Sequence, residues 1–313
     1  MGVFLRNQLY VTNMTLHRNL LCIGLGYSAS AYAAAYGHRF ARINGTVRSP
    51  AKQETLTIAG APINGFVFGG QSSRELLAAM PNGADWLVSA PPAETATIAR
   101  AVLDTDTARS LLPRSVVYLS SLSVYGDYRG AWIDESAALR PTSERGRARI
   151  AAEKAWLDFG KDAQRPVTIL RLAGIYGPGR NALVSVARGQ ARRIVKPDQV
   201  FNRIHVADIA AMIDAAFTVS AAGVFNGADD EPSPPQDVIA YAAQLLGLPA
   251  PPDEFFDDVA AAMSPMARSF YGECKRASNR KIKSALGLTL RYPNYRSGLD
   301  ALYAAGDHES RDG

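Results

Sequence analysis

The chain has 313 residues, 47% hydrophobic and 20% charged, which reads as a soluble globular protein with enough apolar residues for an extensive core or two lobes. That composition excludes the fibrous, disordered and disulfide-scaffold classes. Lys and Arg number 34 against 29 Asp and Glu, a net charge of +5 spread without a dense basic run, so nothing calls for nucleic-acid binding. Cys22 and Cys274 are far apart and lack metal-ligand spacing, and they read as reduced thiols of a cytoplasmic protein with no metal site.

In chain order, residues 1–14 form a mixed segment without periodicity, expected to be a disordered, dispensable tail, with Met14 an alternative start. Leu20–Tyr36 carries no charge but is broken by Gly24 and Gly26 and is shorter than the roughly 20 apolar residues of a spanning helix, so no membrane is expected. Short apolar runs then alternate with helix-patterned stretches. Strands are predicted at Asn19–Gly24, Arg42–Val47, Gly65–Phe68, Trp86–Ser89, Ser115–Ser120 and Val167–Arg171, and helices at Ser28–Tyr36, Glu75–Met80, Ala93–Leu103 and Thr142–Leu157. This alternation predicts an α/β fold: a Rossmann-type doubly wound parallel sheet of six strands with a smaller C-terminal substrate lobe. Domain one is expected at residues 15–175, and residues 201–227 (helix Val206–Phe217, strand Gly223–Asn226) are expected to return to it. Residues 176–200 and 228–313, with Gly177-Pro178-Gly179-Arg180 and Pro-rich breaks at 232–235 and 249–252, form the substrate lobe.

Gly24-Leu25-Gly26-Tyr27-Ser28-Ala29 is a G-x-G-x-x-A turn between the first predicted strand and a helix of small residues. Gly24 permits the tight turn, Gly26 lets backbone N–H groups approach a pyrophosphate, and Ala29 lets helix pack on strand, with Tyr27 and Ser28 opening the helix at the nucleotide. A turn of mere structural use is the alternative, which the position at the first strand of an α/β pattern disfavours. About twenty residues on, a carboxylate would grip the ribose of NAD. The second strand instead ends in Val47-Arg48-Ser49, so Arg48, with Ser49 beside it, would pair with the 2′-phosphate of NADP. NADP is therefore expected over NAD, unless Arg48 is a solvated loop cation.

Three further segments, Ser120-Ser121-Leu122-Ser123-Val124-Tyr125-Gly126, Arg171-Leu172-Ala173-Gly174-Ile175-Tyr176-Gly177-Pro178-Gly179 and Arg203-Ile204-His205-Val206-Ala207-Asp208, occur in this order. Together they resemble the extended short-chain dehydrogenase/reductase superfamily, the NAD-dependent epimerase/dehydratase group, over residues 19–305. The resemblance implies a nucleotide-binding lobe and a C-terminal lobe for the substrate, often a nucleotide sugar. It implies that Ser121 polarises the substrate oxygen, that Leu172, Ala173 and Gly174 meet the cofactor, and that Tyr176, Arg203 and His205 lie near the substrate. In the family a Tyr-x-x-x-Lys pair supplies the acid/base, but aligning on Ala151-Ala152-Glu153 puts Arg145 at the Tyr place and Arg149 at the Lys place.

A guanidinium holds its proton at physiological pH, so Arg145 cannot shuttle one, while Arg149 keeps the charge that would reach ribose hydroxyls. The chain thus resembles the atypical branch, which keeps the nucleotide site without the pair. Tyr125 is a substitute acid only if it is not a packing residue. Asp127, Tyr128, Asp134 and Glu135 follow it in a loop that would line a pocket. In the second lobe Arg192, Arg193 and Lys196 would suit an anionic substrate or form a solvated face, and His205 is a ligand or a core residue. Two readings stand: an NADP-dependent oxidoreductase on an anionic, nucleotide-sugar-like small molecule, and a nonenzymatic NADP sensor. Neither nucleic acid nor membrane is an expected partner, and a homodimer is left open.

Overall fold

The structure, a computed structural model, describes residues 18–54, 63–67, 83–103 and 112–309. The predicted tail at 1–14, the predicted helix Glu75–Met80 and Phe68 lie outside the described residues. Seven strands form one sheet: β1 (Asn19–Ile23), β2 (Arg42–Val47), β3 (Ile63–Val67), β4 (Asp85–Val88), β5 (Ser115–Ser121), β6 (Val167–Leu172) and β7 (Gly223–Gly227). Their order is β7-β6-β5-β4-β1-β2-β3, with parallel pairing from β3 through β5 in registers such as Leu21 with Asn44 and Leu21 with Trp86. Reversal of strand order on either side of β1 makes it the doubly wound topology. The sixth predicted strand is joined by a seventh, since Gly223–Gly227 extends the same sheet beside β6.

The longer helices are α1 (Tyr27–Tyr36), α2 (Pro92–Leu103), α3 (Glu144–Ala163), α4 (Val206–Val219), α5 (Pro235–Leu245) and α6 (Tyr295–Ala304). Helix α3 starts two residues later than the sequence pattern suggests because the Ser143 hydroxyl accepts the Gly146 N–H at 3.1 Å, which fixes the first turn there. It also runs six residues past the predicted end, to Ala163.

The contacts divide the chain into two compact units. One comprises the described residues up to Ser120 with Ala151–Ile169 and Ile213–Gly223. Its central strands are apolar on both faces: Leu20 to Ile23 and Trp86 to Val88 are all fully buried, as a parallel sheet covered on both sides requires. Trp86 stacks on Phe159 at 6.0 Å and meets Trp156 edge-on at 6.5 Å, so the second half of α3 closes this core. At the amino end of β4 the buried Asp85 carboxylate accepts from Arg18 Nε and Arg114 Nε at 2.9 Å each and from Ser115 Oγ at 2.6 Å. A buried charge without such partners would be strongly destabilising.

The other unit comprises Ser121–Ile150, Leu170–Met212 and the described residues from Val224 onward. Its strands are short parallel pairs: Gly174–Tyr176 with Arg203–His205, Arg193–Val195 with Asp253–Phe255, and Trp132–Ile133 with Arg276–Ala277. Leu183, Val186, Val238, Ala242, Leu299 and Leu302 make its main core beside Tyr176. No helix of the described residues is long and apolar enough to cross a membrane.

Candidate cofactor and substrate sites

In the first unit the turn after β1 is held by backbone geometry. Gly24 sits at φ +88°, and a Cβ there would lie 2.7 Å from the Ala90 backbone nitrogen, so only glycine fits. The Gly24 N–H donates to Thr46 Oγ1 at 2.7 Å, the Leu25 N–H to the Thr46 carbonyl at 2.8 Å, and the Ser89 hydroxyl to the Gly24 carbonyl. Thr46, Ser89 and Ala90, which the sequence did not single out, therefore shape this turn.

Gly26 is different. It precedes α1 with φ −96°, a conformation open to any residue, and a Cβ there would meet nothing within 4 Å. No side chain caps α1 and no acidic residue lies in its first turn, so its leading N–H groups and the positive end of its dipole face this open cradle. A dinucleotide pyrophosphate is the group that such a cradle fits. Ser28 and Ala29 are buried where the helix meets the sheet, and Tyr27 begins the helix. Arg48, 72% exposed just after β2, has a carboxylate 4.0 Å away, Glu94 on α2. Ser49 follows it and accepts the Gln53 N–H at its carbonyl.

In the second unit Ser121 caps a single 3-10 turn, its hydroxyl accepting the Ser123 N–H at 3.2 Å. Tyr125 is fully buried. Its hydroxyl donates to Asn226 Oδ1 at 2.8 Å and accepts from Arg171 Nη1 at 2.9 Å, while the Asn226 N–H donates to Glu135 at 2.7 Å. Burial pushes its phenol above the usual range. Arg145 is exposed and Arg149 half-buried, one helical turn apart at the start of α3. Between them Gly146 allows close packing: a Cβ there would lie 2.8 Å from Pro141 Cβ and 3.0 Å from the Ser123 carbonyl. The helix start bearing both arginines thus abuts the turn that Ser121 opens.

Leu172 and Ala173 are buried at the end of β6, where the Ala173 N–H donates to the Gly227 carbonyl at 2.9 Å, and the Gly174 N–H donates to the Asn202 carbonyl at 3.0 Å. His205 pairs in register with Tyr176, their rings 5.1 Å apart, and lies 4.1 Å from the Tyr292 ring. Its Nδ1 accepts the Ala207 N–H, and burial, aided by Arg291, brings its pKa down to about 4, so the ring is neutral with its proton on Nε2. Burial pushes the Tyr176 phenol, which donates to the Asn294 carbonyl, well above its usual range. Arg203 Nη1 donates to the Phe201 and Ser233 carbonyls at 3.1 Å each. Beside it the Asp229 carboxyl is pushed up to about 8 by burial, against the pull of Arg203.

The other basic candidates are engaged locally. Arg192 Nε binds Glu254 at 2.9 Å, Arg193 binds Asp253 at 3.1 Å, and Lys196 donates to the Tyr271 carbonyl at 2.5 Å. Tyr128, Trp132, Asp134 and Glu135 line a cavity of about 1200 Å³ in this unit, and Asp127 lines a smaller one of about 260 Å³.

Residues 77–227 match the NAD dependent epimerase/dehydratase family. A conserved protein of unknown function from Silicibacter pomeroyi DSS is 43% identical, with a TM-score of 0.79 over 94% of this chain and 100% of that one. MoeE5, solved with UDP-glucuronic acid and NAD, is 22% identical with a TM-score of 0.75 over 93% of this chain and 100% of its own. The 3-diazoavenalumate denitrifying reductase of a Streptomyces species is 28% identical over 142 residues, 42% of this chain. The match spans 45% of that reductase, less than half its length. On a doubly wound sheet with an open glycine cradle at its first turn, residues 77–227 are identified as an NAD dependent epimerase/dehydratase family domain.

Proposed function

We propose that the protein is a cytosolic NADP-binding oxidoreductase of the epimerase/dehydratase type acting on an anionic small molecule, with nucleotide sugars the first class to try. The open cradle at Gly26 ahead of an uncapped helix carries this reading, because nothing in the fold itself requires glycine there. The acidic compounds named for two relatives, UDP-glucuronic acid and 3-diazoavenalumate, support an anionic substrate. The backbone around Gly24, Gly26, Tyr27 and Ser28 would hold the pyrophosphate, and Arg48 with Ser49 the 2′-phosphate. When bound, the nicotinamide supplies hydride chemistry. This chain's own residues then position the substrate: the Ser121 hydroxyl orients its reacting oxygen, and Arg145 adds fixed positive charge without giving up a proton.

A nonenzymatic NADP sensor is the second reading. It is favoured by Arg145 and Arg149 standing at the places of the family's Tyr and Lys, counted back from Ala151-Ala152-Glu153. Fluorescence titration with NADPH and NADH, before and after Arg48→Ala, tests cofactor choice, and equal affinity of the unmutated protein for both would refute it. Cofactor oxidation with a panel of sugar nucleotides separates enzyme from sensor.

A further inference from the structure

From Met1 to Gln53 the sequence holds no Asp or Glu, so β1, its glycine turn and the end of β2 supply no carboxylate to a nucleotide ribose. The fold of the first unit supplies one from another segment. After β4 the Ser89 and Ala90 N–H groups donate to the Ile23 carbonyl at 2.8 and 3.0 Å, which lays Ala90 against Gly24. Pro91 and Pro92 follow, and the first turn of α2 is locked onto them. There the Thr95 N–H donates to the Pro91 carbonyl at 3.2 Å, and the Thr95 hydroxyl to the Pro92 carbonyl at 3.1 Å. That turn carries Glu94, whose negative charge suits the positive end of the helix dipole.

From the other side Thr46 ties β2 to Gly24 and Leu25, and Arg48 stands two residues beyond it. The two segments that shape the cradle therefore end in opposite charges, with Arg48 Nη2 and Glu94 Oε1 4.0 Å apart. All of these residues belong to the first unit. The side chains are 72% and 36% exposed, and an ion pair so long and so open to water contributes little to the fold. Both groups are within reach of a ligand.

NAD and NADP differ at the adenosine 2′ position, a hydroxyl in one and a phosphate in the other. A guanidinium grips the phosphate in a forked pair, whereas a neighbouring carboxylate repels it. Toward the hydroxyl the roles reverse, because the carboxylate accepts its proton in a charge-assisted hydrogen bond.

Resting on the cofactor reading above, we infer that Glu94 is a determinant of cofactor choice. Its carboxylate takes the 2′-hydroxyl of NAD and opposes the 2′-phosphate of NADP at the same guanidinium. Glu94 thereby narrows the preference for NADP that Arg48 creates. The carboxylate missing from the end of β2 is delivered by the start of α2.

The test titrates the full-length protein with NADPH and NADH by fluorescence. Calorimetry with adenosine 2′,5′-bisphosphate and 5′-AMP, which differ at the 2′ position and lack the nicotinamide, assigns any effect to the ribose. Glu94→Gln removes the charge and keeps the length of the side chain. It is expected to melt with the parent and to bind NADPH and the bisphosphate about tenfold more tightly, the gain shrinking as salt is raised. Glu94→Ala is expected to loosen NADH and 5′-AMP about fivefold, the loss of one exposed hydrogen bond to a charge. An NADPH-to-NADH affinity ratio that Glu94→Gln leaves within about threefold of the parent's overturns the inference. Weaker NADPH binding by Glu94→Gln also overturns it, since Glu94 would then support Arg48, and so does NADH binding indifferent to Glu94→Ala. A parent protein that binds neither NADPH nor NADH would instead overturn the cofactor reading on which the inference rests.

Discussion

Gly24 and Gly26 are two residues apart, and their replacement by alanine is expected to separate fold from ligand. At Gly24 the backbone sits at φ +88°, where a side chain costs about 1–3 kcal/mol. The new Cβ would also lie 2.7 Å from the nitrogen and 2.9 Å from the Cα of Ala90, both backbone atoms that cannot swing aside. Relieving that overlap costs about 1–3 kcal/mol more, so Gly24→Ala should lose about 2–6 kcal/mol. That corresponds to a melting temperature lowered by on the order of 10 °C. At Gly26 the backbone is ordinary at φ −96° and the Cβ meets nothing within 4 Å, so Gly26→Ala should melt with or slightly above the parent. Yet its methyl group would stand where a pyrophosphate must approach, and losing one charged hydrogen bond there costs about 1.5–3 kcal/mol. NADPH affinity should then fall roughly ten- to hundredfold. Thermal melts and NADPH fluorescence titrations of both variants decide the matter. A Gly26→Ala protein that binds NADPH like the parent would show that the open space is not the nucleotide's place.

Arg48→Ala should weaken NADPH by about 1–3 kcal/mol while leaving NADH nearly unchanged, read by parallel titrations. Arg149→Ala should weaken NADPH clearly, whereas Arg145→Tyr with Arg149→Lys should keep it within about tenfold, since the ribose charge is retained. Tyr125→Phe removes a partner of buried Arg171 and Asn226, so denaturant unfolding should show a loss of about 1–3 kcal/mol. Asp229 offers a pH test with a definite sign: its folded pKa, about 8, lies above the roughly 3.9 of an unfolded aspartate, so the fold favours the protonated form. That contribution is full below about pH 4 and is lost as pH rises to 8, and Asp229→Asn should therefore gain stability over the parent progressively from about pH 4 to pH 8 in melts, levelling off above. A stability difference that does not grow with pH would mean that the Asp229 carboxyl does not titrate in this window.

Much of the sheet was legible because its central strands are short runs without charge, Leu20 to Ile23 above all, and such runs bounded by glycine or turns report strands buried on both faces. The Gly24 turn was legible for the same local reason. What made it a turn of this shape was not: Thr46 and Ala90 lie 22 and 66 residues away and carry no motif. The partners of Tyr125, Arg171 and Asn226, are 46 and 101 residues distant, so its complete burial is not legible in local sequence. Asp229 sits in Gly227-Ala228-Asp229-Asp230, which reads as a solvated polar loop, but the fold brings it beside Arg203 and buries it.

The contrast between Tyr125 and the arginine pair bears on how such a chain can change over generations. Tyr125 bolts three segments together inside its unit, so its loss is felt by the fold whatever the protein binds. Arg145 is exposed on the first turn of a helix whose seating depends on Gly146 and Ser143. Substitution at 145 therefore leaves the seating of that helix untouched. A lineage can drift through different chemistries at that position while the same scaffold persists, and recognition of the scaffold outlasts any inference of an ancestral reaction.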